Sequence, residues 1–292
     1  MYSSNDSRRN TVPIYDQAYK PWEGAFVTKP GTWWVIARTG VRTVWQKWLI
    51  LLLIFSSFPF AVRAVQIYLN SRIGGDSQFE SIAKQLEIHG GFFEGFLKGQ
   101  GFMLVLVLVI AGAGLIARDR ESRALSLYFS RPVEFRDYVG GKFLILAFYA
   151  GLITLVPALL LFVIQLFLTG DASFFREFYW IPFSILGAFA VSVAVLGGMM
   201  LAVSAAAGSR SAAVVFFAVL WFPEIIRNIL SRIPAAGYFS VGANLRQILS
   251  VFFGTERPYD FSTAGAAGAL AVYLGISLAV LRLRIRPTEV IR

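Results

Sequence analysis

Apolar residues run through this chain in long blocks separated by short polar stretches. Six blocks approach the length that lipid demands: residues 49–69, 101–117, 143–168, 180–207, 212–230 and 264–281. A spanning helix needs about 20 consecutive apolar residues, because lipid offers no partner to stray backbone N–H and C=O groups. The first block holds Pro59 and Arg63, the second is short, and the fifth carries Pro223, Glu224 and Arg227. The pattern predicts an all-α integral membrane protein with six transmembrane helices.

A second periodicity precedes the first block. Trp34, Val41, Val44, Trp45 and Trp48 recur at helical spacing, with Arg38, Arg42 and Lys47 among them. Trp rings prefer the headgroup zone, and Lys and Arg stems reach from it toward water. Residues 32–48 therefore read as an amphipathic helix on the membrane surface, joined by a bend to the first span. Residues 1–31, with Pro13, Pro21 and Pro30, read as an irregular tail whose Tyr15, Tyr19 and Trp22 could anchor on a cytosolic partner. In the loop 70–100, Ser77-Gln78-Phe79-Glu80 fits a capping box, in which Ser and Glu satisfy free N–H groups of a first helical turn. Phe79, Ile82 and Leu86 extend that helix as a stripe, and Gly90-Gly91 is expected to end it. The stripe packs on the protein's own helix ends or receives an extracytoplasmic partner.

Composition agrees with the pattern. The chain is 57% hydrophobic and 15% charged, with mean hydropathy +0.63, against about 45–50% apolar and about 25% charged in soluble domains. The first apolar block begins too late and runs too long for the core of a cleaved signal peptide. Without cysteine, neither disulfide nor thiolate chemistry is open to it. Lys and Arg concentrate before residue 49, in the loop 118–142 and in the tail from Arg282 to Arg292. Positive residues resist translocation, so both termini are expected in the cytoplasm, which an even number of spans allows. That bias and anionic headgroups, each worth about 1 kcal/mol per nearby basic residue, absorb the net charge of +10. Nucleic acid is not an expected partner.

The loop 118–142 is the most informative segment. Arg118-Asp119-Arg120-Glu121-Ser122-Arg123 is followed by a mixed apolar stretch, Ser130-Arg131-Pro132-Val133, and Gly140-Gly141-Lys142. It is too short to fold a domain, but residues 121–131 can form a small helix presenting an apolar face to a soluble partner. Leu125 and Tyr128, one turn apart, would make that face; Arg120, Glu121, Arg123 and Arg131 would add polar contacts.

Within the spans, ionisable residues are the functional suspects. Arg63 is close enough to the outer end of its block to reach water. Glu224 and Arg227 lie one turn apart and can pair, just after Pro223, which removes a backbone donor and can break the helix. Residues 231–262 hold apolar pieces too short to span, so a broken helix followed by re-entrant pieces is expected. Pro223, Glu224 and Arg227 there form either an outer gate or a structural ion pair. Small residues at four-residue spacing, Ala190, Ala194, Gly198, Ala202 and Ala206, predict close helix packing, as do Ala264, Gly265, Gly268 and Ala269.

Catalytic chemistry finds no foothold. His89 is the single histidine, and no metal-ligand or nucleophile motif is present. Gly140-Gly141-Lys142 fails as a phosphate loop, because Arg136 stands at the leading glycine position and Phe143 where a Mg²⁺-binding hydroxyl is needed. The chain is expected to bind no cofactor or metal.

Glu121, Ala124-Leu125, Ser130-Arg131-Pro132-Val133 and Gly141-Lys142 together resemble the loop between the second and third spans of type-2 ABC transporter permeases. The surface helix, six spans and broken pieces between the fifth and sixth are similar to that family as well. The resemblance implies that 121–131 is a coupling helix docked on a separate soluble ATPase, where ATP and magnesium bind. It implies a pathway shared with a second copy or a sibling permease, export rather than import, and residence in a bacterial inner membrane. It divides the chain into a cytoplasmic tail (1–31), an interfacial helix (32–48), a membrane domain (49–285) and a short cytoplasmic tail (286–292). A secondary transporter or channel would instead need several buried polar groups along a path. A membrane-embedded enzyme would need the missing catalytic groups.

Overall fold

The computed structural model describes residues 31–44, 47–73, 88–129, 133–169, 173–230 and 232–285. The tail up to residue 30, Trp45, the Ser77–Glu80 capping box with its stripe, Arg131 and the tail from residue 286 lie outside them. Among the described residues the regular structure is entirely helical. In chain order the helices are α1 (Thr32–Val44), α2 (Lys47–Ile73), α3 (Gly90–Gly112), α4 (Ala117–Glu121), α5 (Ala124–Phe129), α6 (Phe135–Ile153) and α7 (Leu155–Thr169). They continue as α8 (Ser173–Phe178), α9 (Ile181–Ala206), α10 (Ser209–Ile229), α11 (Val241–Phe253) and α12 (Thr263–Arg284).

Six helical stretches are long and apolar enough to cross a membrane: Leu49–Arg72, Gly90–Glu121, Phe135–Thr169, Phe174–Ala206, Ser211–Ile229 and Thr263–Arg284. These are spans 1 to 6. Spans 2 and 4 are the interior of the bundle, with 61% of each apolar window buried, whereas spans 1 and 5 bury 11% and 17%. Helix α9 touches helices of spans 2, 3, 5 and 6. Its small residues permit this: a Cβ on Gly198 would lie 3.2 Å from the Leu274 side chain of span 6. In the last span the ring of Tyr238 fills the space a side chain at Gly265 would need.

Span 3 is interrupted at Thr154, where α6 gives way to α7. Pro157 cannot donate to the carbonyl four residues back, so the ladder loses a rung there. The Thr154 hydroxyl donates to the Ala150 carbonyl (2.7 Å) and keeps the joint buried.

Two expectations change. Span 2 begins at Gly90 and not at Gly101, because Phe92, Phe93, Phe96 and Leu97 have an aromatic cluster at that end in which to bury. Pro223 does not break span 5; α10 runs through it to Ile229. Proline's φ suits a helix, and beyond it Glu224 and Arg227 are held by bonds described below. The short pieces that follow are a 3₁₀ turn (Pro234–Phe239) and α11. At about 1.5 Å per residue, the 13 residues of α11 cannot cross a bilayer. Ser240 caps its N-terminus by accepting from the Ala243 amide (3.0 Å), and left-handed Gly254 (φ 63°) closes it.

The surface helix α1 docks on span 3. At the crossing a Cβ on Gly141 would lie 2.8 Å from Ile36 and from the Trp33 carbonyl, so the second glycine of Gly-Gly-Lys is a close-approach residue. The Tyr149 hydroxyl donates to the Val41 carbonyl (2.6 Å) and fixes the register. Trp33 and Trp34 stay exposed.

Candidate functional site

Helix α3 ends in a turn at 113–116, and two short helices follow rather than one coupling helix. Arg123, with φ 56°, takes the left-handed conformation that separates α4 from α5. Such a residue reverses chain direction at a cost that surrounding contacts must offset.

Those contacts come from span 4. The Ser204 hydroxyl accepts from the amides of Ile116 (3.1 Å) and Ala117 (3.2 Å) and donates to the Ala113 carbonyl (3.0 Å). It satisfies the free N–H groups at the start of α4, as a cap would, but from a residue far away in sequence. Arg120 donates to the Ala205 carbonyl one residue further on.

The second anchor joins the two roots of the loop. Lys142 Nζ lies 2.7 Å from Asp119 Oδ2, and the Tyr138 hydroxyl donates to the same oxygen at 2.7 Å. Asp119 and Lys142 expose only 19% and 9% of their side chains, so neither charge is well solvated without the other. Tyr128 stacks edge-on against Tyr138 with centroids 5.2 Å apart. Burial raises the Tyr128 phenol pKa above its ordinary value, and the Asp119 charge adds to the shift.

This arrangement redistributes the residues expected at a partner surface. Leu125 and Tyr128 are half-buried against the protein's own main core, and Arg120 is committed to Ala205. Glu121, Ser122 and Arg123 form the exposed turn. Asp119, Tyr138, Lys142 and Ser204 were not among the expected site residues. Asp119 and Lys142 were detectable as opposite charges at the facing ends of successive spans, but Ser204 had no local signal.

At the other end of span 2 lies a second polar centre. Glu224 Oε1 accepts from Arg227 at 2.8 Å, the pairing expected from their spacing. The pair is not isolated. Ser240 donates to the other Glu224 oxygen, Arg246 approaches Oε1 at 3.6 Å, and Arg246 donates to the Tyr259 hydroxyl at 2.9 Å. Arg227 lies over the Tyr259 ring, 5.0 Å from its centroid. Span 5 is thereby tied to α11 and the loop after it. Arg63 bonds Gln66 (2.7 Å) and covers the Phe92 ring of span 2, so it holds a helix pair as well as reaching toward the surface.

Next to this centre is a cavity of about 330 Å³ among spans 2, 4, 5 and α11. Its walls are mostly aliphatic and aromatic, Phe102 and Trp221 among them, with Lys98, Glu224 and Arg246 as its charged groups. Lys98 is held by Glu94 (2.6 Å), whose other oxygen accepts from Thr255 (2.8 Å). The geometry can admit an amphipathic guest. Between Lys98 and Asp119, span 2 rises roughly 30 Å at helical pitch, so the two polar centres sit at opposite ends of the bundle.

A family model described as ABC-2 family transporter protein matches residues 34–280, from the surface helix into the last span. No curated protein matches the chain in sequence.

Proposed function

The chain belongs to the ABC-2 family of transporter proteins, and from that premise we propose that it is the permease of an ABC exporter, driven by a separate soluble ATPase. ATP and magnesium bind to that subunit. The permease pairs with a second copy or a sibling, in a bacterial inner membrane, with the α4–α5 end in the cytoplasm.

The observation that carries the ATPase reading is the loop between spans 2 and 3. Its roots are locked by Asp119–Lys142 and by Ser204, while Glu121–Arg123 protrude. A rigidly rooted, protruding turn transmits a push into the membrane domain; a loosely tethered one would absorb it. Polar contacts by Glu121 and Arg123 replace the apolar face first expected from Leu125 and Tyr128, which serve the internal packing. Pairing with a sibling is supported by the little that spans 1 and 5 bury within one chain. Self-pairing would most simply form a closed two-fold dimer. Glu224, Arg227 and Pro223 form the outer gate beside the cavity. Export, rather than import, rests on the likeness to exporting permeases.

Affinity purification of the full chain in mild detergent tests the reading. A soluble chain carrying ATP-binding motifs is expected to co-purify. Its absence from a complex that still transports would overturn the proposal.

A further inference from the structure

A second concave site lies at the α4–α5 end, away from the outer cavity. Helix α1 and the last turns of span 2 enclose about 330 Å³. One wall is Val35, Thr39 and Val44 of α1; the other is Ile110 and Leu115 of span 2. Arg118 stands at the polar end. Its side chain lies across Gly114, where a Cβ would come within 2.7 Å of Nε and 3.1 Å of Cζ. The lack of a side chain at 114 leaves room for the Arg118 side chain to cross that position.

The charges here do not cancel. Asp119 and Lys142 also line the pocket and neutralise each other at 2.7 Å. Among the described residues, Arg118 meets no carboxylate within ion-pair distance. Arg38 and Arg42 do not line the pocket and lie on the outward side of the same helix. Both are exposed, as are Trp33 and Trp34, which marks this level as the headgroup zone.

We propose that the pocket between α1 and the end of span 2 binds the phosphate headgroup of an anionic phospholipid. The Arg118 guanidinium takes the phosphate, to which its planar fork is matched. An acyl chain lies along Val35 and Ile110. A free phosphate would use the same guanidinium but leave the apolar walls empty, and the walls favour the lipid. Because Arg118 adjoins Asp119, an occupied pocket would also brace the root of the α4–α5 loop. The inference requires only a membrane protein, and is independent of transport direction and of the ATPase.

The test is native mass spectrometry of the full chain in detergent, titrated with phosphatidylglycerol or phosphatidylcholine. The first phosphatidylglycerol should bind about fivefold more weakly to Arg118→Gln than to the unaltered chain. Phosphatidylcholine should distinguish the two much less, and Arg136→Gln, an exposed change outside the pocket, should leave phosphatidylglycerol binding intact. Thr39→Phe, which fills the pocket but keeps Arg118, should also remove the tight adduct, and it carries the test should Arg118→Gln fail to fold. Equal phosphatidylglycerol binding by the unaltered chain and either pocket variant would overturn the site. Complete displacement of the lipid by inorganic phosphate would overturn the lipid assignment in favour of a small-anion site.

Discussion

Lys142 and Asp119 meet at 2.7 Å across the root of the loop joining spans 2 and 3, with the Tyr138 hydroxyl on the same carboxylate oxygen. Both charges are largely withdrawn from water. Removing one partner of such a pair typically costs about 3–5 kcal/mol, because the other is left uncompensated. Asp119→Asn and Lys142→Met should each lower the unfolding temperature in detergent, and the double variant should lose less than their sum. Additive losses would mean that the two side chains act independently.

Ser204 makes a sharper prediction because its work is local. Ser204→Ala leaves two buried amides at the start of α4 without an acceptor, a loss of about 1–3 kcal/mol. Hydrogen exchange should accelerate at Ile116 and Ala117 and remain unchanged at the Gly90 end of span 2. Uniform acceleration through the bundle would point to general destabilisation instead.

Much of this architecture is legible in the sequence, for a physical reason: lipid enforces long apolar runs, and composition reports them directly. The start of span 2 was misplaced because Glu94, Lys98 and Gln100 dilute its first turns. Glu94 is answered within the fold by Lys98 and Thr255, and the Gln100 amide nitrogen donates to the Ser56 carbonyl at 2.9 Å. Hydropathy cannot see a partner on another helix. The same limit explains the coupling segment. The spacing of Leu125 and Tyr128 defines an apolar face, but periodicity does not say what covers it; Tyr138 and the core do. Glu224 and Arg227 were legible because their pairing is local, whereas Ser240 and Arg246 come from a neighbouring element.

The exposed turn and the buried face should therefore respond differently. Arg123→Glu is expected to reduce ATPase co-purification by tenfold or more (about 1.4 kcal/mol) while lowering thermal stability less than Leu125→Ala does. Leu125→Ala should lower stability by roughly 1–3 kcal/mol, with any loss of partner following from that. Equal stability losses in both variants would remove the distinction.

At the second polar centre, Glu224 holds Arg227, Ser240 and Arg246 at once. Glu224→Gln should consequently impair folding or gating more than Arg227→Gln, and the double variant should fall short of the sum. An Arg227 variant as damaging as the Glu224 variant would contradict this hierarchy.

The absence of native cysteine gives the most direct measurement. A single Cys in place of Arg123, treated with a short thiol-to-amine cross-linker in native membranes, should join the chain to a soluble ATP-binding subunit. A Cys replacing Lys98 at the opposite end should not. Failure of the position-123 cross-link in a transporting complex, or labelling of that cysteine by an impermeant reagent from the outer side, would contradict the account.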